Sequence, residues 1–109
     1  MGFYKVDQLT AKTIAENLQL RLLHVERMSM IFFRGTQGSV VPEHAHPHEQ
    51  LGTVTKGALE VDIAGEKQHV RSAQVYHIPS NVKHSAVCLE PDTEFLEVFA
   101  PRREDLAGS

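Results

Sequence analysis

At 109 residues the chain fits one domain, since single cores organise about 100 to 200 residues. With 41% hydrophobic and 23% charged residues it falls in the soluble globular range, able to bury a core without disulfide or metal staples. Eleven basic against fourteen acidic residues give a net charge of -3 with no basic block, which argues against nucleic acid as a partner. The single cysteine, Cys88, forbids an intrachain disulfide, and the start carries no charged-then-apolar signal, so a cytoplasmic location is the default. Apolar runs of a few residues fall far short of the roughly 20 needed to cross a bilayer, so no membrane partner is expected.

Between Asp7 and Asn17, Leu9 and Ile14 continue to Leu18 at roughly helical spacing with Asp7 as a cap, which predicts a short N-terminal helix or turn. From Leu20 onward the pattern changes to short alternating segments split by turn residues, as in an all-β sandwich or barrel. The chain therefore divides into an N-terminal segment (1–18), a β-barrel (19–101) and a polar tail (102–109). Leu59, Val61 and Ile63 alternate with Glu60 and Asp62 in the clearest half-buried strand. Ala64-Gly65-Glu66-Lys67 reads as a hairpin turn, and Gly57, Pro79, Pro91 and Pro101 mark other breaks. The last strand covers Glu94 to Ala100, where Phe95, Glu97 and Phe99 share one face.

Seven positions hold His44, His46, His48, Glu49 and Gln50. Neutral imidazole is the commonest ligand of borderline divalent ions such as zinc, nickel, iron and manganese. On an extended strand His44 and His46 point the same way. His48 and Gln50 share that parity, but Pro47 predicts a kink before Gln50, so parity does not choose between them. The alternative is a solvated turn. A further histidine, His84, lies downstream in Pro79-Ser80-Asn81-Val82-Lys83-His84.

The spacing Gly38, five residues, His44-Ala-His46, three residues, Gln50, six residues, Gly57 resembles the first cupin motif, with Gln50 where Glu is usual. Pro79 followed by His84 and a strand resembles the second, with Ala73, Asn81 and Cys88 in place of Gly, Gly and Asn. Asn tolerates positive φ almost as Gly does, so the turn substitutions leave the fold expectation intact. The resemblance to a single-domain cupin implies an all-β double-stranded β-helix, a small jelly-roll barrel holding one divalent transition metal (Ni, Zn, Fe or Mn) inside.

Within cupins the chain resembles the KdgF family, which acts on unsaturated uronates from pectin and alginate. The resemblance rests on residues 44–50, residues 79–84 and the ending Glu97-Val98-Phe99-Ala100-Pro101-Arg102-Arg103-Glu104-Asp105. It implies that His44, His46, Gln50 and His84 bind the metal. It also implies catalytic roles for Glu97, Phe99 and Arg103 beside Gln50, a carboxylate-bearing sugar as substrate, and a homodimer. Glu97 stands where the family has Asp. The extra methylene shifts the carboxylate by about 1.5 Å, and a misplacement of that order costs about 100-fold in rate, so either the pocket is reshaped or the substrate differs.

Three imidazoles and an amide are neutral and leave the cation its full charge, which favours Lewis-acid chemistry. Glu97 between two phenylalanines should be desolvated and its pKa raised toward neutrality. Arg103 suits a substrate carboxylate. These features together predict a metal-dependent lyase or isomerase converting 4,5-unsaturated uronates to linear 5-keto sugar acids. The competing readings are a ferrous cupin dioxygenase and a non-catalytic module that binds a metal or small ligand. His24 and His69 read as surface or strand residues, His77 as a neighbour of the pocket, and Cys88 as an inert buried thiol.

Overall fold

The structure, a computed structural model, describes residues 2–106. Ten strands make up most of it: β1 (Thr10–Ala15), β2 (Leu18–His24), β3 (Ser29–Gly35), β4 (Val40–His44), β5 (Glu49–Lys56), β6 (Ala58–Ile63), β7 (Glu66–Arg71), β8 (Val75–Ile78), β9 (His84–Cys88) and β10 (Thr93–Ala100). One sheet has six strands in the order β1-β2-β3-β10-β5-β8, the other four in the order β4-β9-β6-β7. The strand pairings are all antiparallel. This two-sheet jelly-roll meets the all-β expectation. Among the described residues no helix is long and apolar enough to cross a membrane.

Alternation creates the core. Leu18, Leu20 and Leu22 of β2 face inward with Ile31 and Phe33 of β3, and Leu59 and Val61 of β6 meet them from the opposite sheet. Phe33 and Phe95, paired across β3 and β10, stack with centroids 4.5 Å apart. At the β6–β7 hairpin, Ala64 (φ 52°) and Gly65 (φ 89°) both take positive φ, the two-residue turn whose twist matches its strands. Ala73 (φ 67°) and Asn81 (φ 65°) are also left-handed, the conformation for which their positions in the motif usually carry glycine.

The N-terminus differs from its sequence pattern. Only a 3-10 turn forms, at Val6–Gln8, and the residues after it are a strand. Ile14 and Leu18 are not on one helical face: a turn at Glu16 and Asn17 (φ 60°) separates them, and β1 pairs along β2. The β-branched Thr10, Thr13 and Ile14 fit an edge strand, and the backbone bonds to β2 outweigh an apolar spacing with nothing helical to pack on. The sheet structure thus begins at Thr10. At the other end, Arg103 is buried and its backbone N–H donates to Ser29 Oγ at 2.8 Å, and Glu104–Leu106 form a second 3-10 turn. The docked part of the expected tail is therefore structural, while 107–109 lie outside the described residues.

Two rows cross the inner face of the larger sheet. One runs Ser29, Phe99, Gln50, Ile78, and the next Ile31, Glu97, Gly52, Tyr76. These rows carry the polar residues of the site described next.

Candidate metal centre

His44 ends β4 and faces His84, the first residue of β9, across the antiparallel pair. His46 follows in the connection to β5, whose backbone is tied to the 79–83 loop by a bond from Asn81 N–H to the His46 carbonyl, 2.8 Å. The ring centroids lie 5.2 Å apart for His44 and His46, 4.3 Å for His44 and His84, and 4.9 Å for His46 and His84. One ligand nitrogen from each falls within 4.8 Å of the others. The strand-parity argument for His44 and His46 is corrected here: β4 stops at His44, so His46 lies in the connection, while the bend falls at Pro47 as expected.

Each ring is oriented by a backbone carbonyl two residues away. His44 Nδ1 meets Pro42 O at 2.8 Å, His46 Nδ1 meets His48 O at 3.1 Å, and His84 Nδ1 meets Val82 O at 2.8 Å. A carbonyl only accepts, so each Nδ1 carries the proton and each Nε2 keeps its lone pair for a cation. The Nε2 atoms of His46 and His84 are buried with no partner. Burial, then the Arg103 charge and the neighbouring histidines, lower the His46 pKa to about 4. Burial also lowers that of His84, against its bond to Val82 O. Both rings are neutral near pH 7.

Gln50 is 2% exposed on β5, and its side chain lies beside Glu97, close enough to favour the ionised carboxylate. Since a carboxylate accepts, the amide nitrogen faces Glu97, and Oε1 is left buried without a partner. Phe99, cross-strand from Gln50, lies edge-on to His46 at 5.8 Å. Orphaned buried acceptors on His46, His84 and Gln50 are what a bound cation would satisfy, so the residues present fit a metal.

Beside this cluster lies a cavity of about 340 Å³ lined by the polar His44, His84, Tyr76, Glu97 and Arg103 and by the apolar Ile31, Phe33, Phe95 and Phe99. Glu97 Oε2 accepts from Tyr76 Oη at 2.7 Å. Burial pushes its pKa up to about 7, against the hydrogen bond from Tyr76, the charge of Arg103 and the neighbouring Gln50 amide. The Arg103 guanidinium carbon sits 4.7 Å from the centroid of the Phe99 ring. Its Nε and Nη2 bind the Asp105 carboxylate at 2.9 and 2.7 Å, and that bond holds Asp105 down at about 2.

The structure thus gathers His44, His46, His84, Gln50, Glu97, Phe99 and Arg103 at one end of the barrel. His48 is buried with its ring 5.2 Å from that of His46, yet it falls outside the three-histidine group and serves it through its carbonyl. Glu49 is exposed and pairs with His77 at 2.8 Å on the outer face, so His77 is not the neighbour of the pocket that the sequence suggested. Sequence reasoning missed Tyr76 and gave no role to Asp105, the last residue of the third stretch. Asp105 follows Arg103 by two residues and was visible as a charge partner, whereas only the strand register connects Tyr76 to Glu97.

A family model described as a cupin domain matches residues 32–99, from within β3 to within β10. The chain is a cupin. This cupin is 30% identical over 79 residues, 72% of each chain, to the pectin degradation protein KdgF of Dickeya dadantii (strain 3937). It superposes on the structure of KdgF from Halomonas sp. with a TM-score of 0.90 at 29% identity, covering 97% of this cupin and 98% of that chain. An RmlC-like cupin from Shewanella frigidimarina NCIMB 400 matches with a TM-score of 0.89 at 24% identity, covering 98% and 96%, and at that identity supports the fold alone. The likeness to KdgF read from the three sequence stretches is borne out.

Proposed function

We propose that this cupin holds a divalent transition metal through His44, His46, Gln50 and His84 and isomerises 4,5-unsaturated uronates to linear 5-keto sugar acids. The observation that carries the reading is the presence of Glu97, with its pKa near 7, in the same cavity as the histidine cluster and a buried Arg103. The description of the Dickeya dadantii relative as a pectin degradation protein supports the substrate class. A metal in an all-neutral ligand set would supply Lewis-acid polarisation of a substrate oxygen.

The remaining chemistry falls to side chains. Arg103 has Nη1 left for the substrate carboxylate, its Nε and Nη2 being held by Asp105. Phe99 offers a flat apolar surface under that guanidinium. Glu97, divided between acid and carboxylate near pH 7, gives a proton to C4 of the enol ether and takes one from the anomeric hydroxyl. The C1–O5 bond breaks, C1 becomes an aldehyde and C5 a ketone, and the product is an isomer of the substrate. Atoms and electrons balance without an oxidant, so no redox cofactor is involved.

The outward row Met30, Val98, Leu51 with exposed Val75 beside it supports the homodimer implied by the resemblance. The test of the activity is incubation of metal-loaded protein with a 4,5-unsaturated uronate, with the product followed by NMR. An aldehyde and a C5 ketone in place of the vinyl signal are expected, and unchanged substrate with every divalent ion tried would end the proposal.

A further inference from the structure

We infer that Tyr76 is the positioning residue for Glu97, acting through a gap in the sheet that Gly52 keeps open; the inference rests on the acid-base role proposed for Glu97. Tyr76, Gly52 and Glu97 stand in one row across β8, β5 and β10. Side chains directly across one strand from each other are two strand spacings apart, roughly 10 Å, so Tyr76 and Glu97 meet only if nothing rises between them. Gly52 meets that condition. A Cβ built there collides with Cζ, Cε2 and Oη of the Tyr76 ring, so the ring lies directly over the glycine.

The phenol reaches Glu97 Oε2 at 2.7 Å. Tyr76 is buried, and desolvation with the adjacent Glu97 charge pushes its pKa well up, so the hydroxyl remains a donor. The hydrogen bond thus reaches Glu97 from β8, across the whole width of β5. The length of the side chain matters as well. A glutamate extends one carbon–carbon bond, about 1.5 Å, beyond an aspartate, and that reach brings it to the phenol. Tyr76 and Gly52 are therefore the reshaping of the pocket that a glutamate at position 97 requires.

The test is steady-state kinetics of metal-loaded Tyr76→Phe, a change that keeps the ring and removes only the hydroxyl. The expected result is a fall in kcat of about 10- to 100-fold, in the range a misplaced acid-base group costs, with KM within twofold and metal content unchanged. In a Glu97→Asp background, where the carboxyl is withdrawn from the phenol, adding Tyr76→Phe changes kcat by less than twofold. Equal losses in both backgrounds, or an effect on KM alone, would overturn the inference. If wild-type protein leaves the uronate untouched, the proposed function fails, and a denaturation cycle of Tyr76→Phe with Glu97→Leu then decides the Tyr76 contact. Non-additive midpoint shifts support the link, and additive shifts overturn it.

Discussion

The two halves of the site are anchored in opposite ways. Each histidine of the cluster is oriented by a carbonyl two residues away in sequence. Glu97 depends on a phenol 21 residues away, and the Arg103 backbone on a hydroxyl 74 residues away. The ring orientations of the metal half are therefore set by local chain geometry, with the pairing of β4 and β9 bringing His84 to His44, whereas the acid-base half exists only once the six-stranded sheet has its register. The difference implies that substitutions in one half should leave the other largely intact.

The largest expected effect comes from cutting into the local half. His84→Ala removes a ligand outright, and metal affinity should fall by more than about 100-fold, beyond what loss of an outer partner costs. Calorimetric titration of the metal-free protein measures it, and the melting temperature without metal should barely change. An affinity within threefold of wild type would show that the three rings do not act as a set.

A smaller effect is expected from Gly52→Ala in the long-range half. The new methyl displaces the Tyr76 ring, and overpacking of this kind costs about 1 to 3 kcal/mol. Chemical denaturation should read that loss while metal affinity stays unchanged. A variant as stable as wild type would mean that the ring has room to move, and a variant that also lost metal would erase the distinction between the halves.

The smallest effect is a pH slope. In the metal-free protein Glu97 titrates near 7 instead of 4.5, so the folded state holds this proton more tightly than the unfolded chain does. Its contribution to stability is fully present below pH 4.5 and is lost as pH rises toward about 7, then levels off. Glu97→Gln should remove that slope, seen as a difference between the two unfolding profiles. Parallel profiles would show that Glu97 is not desolvated.

How much of this was legible follows the same division. The cluster at 44–50, the later His84 and the turn at Ala64-Gly65 are local patterns, and each marked its element. The face shared by Phe95, Glu97 and Phe99 follows from strand alternation and was equally readable. Tyr76 was not, because its partner is set by the register of β8 on β5 and of β5 on β10, which no spacing within one strand encodes. Thr10–Ala15 misled for a related reason: an edge strand exposed on both sides has weak alternation, so Ile14 and Leu18 mimicked helical spacing. His77, suggested as a neighbour of the pocket, faces outward because the adjacent Tyr76 takes the inward position on β8.

The most direct test follows the absorbance of a 4,5-unsaturated uronate with metal-loaded Glu97→Gln beside wild-type protein. The account predicts decay with wild type and at least about 100-fold slower decay with the variant, although both carry the same metal content. Equal decay rates would contradict it, because the carboxyl at position 97 would then have no part in the proton transfer.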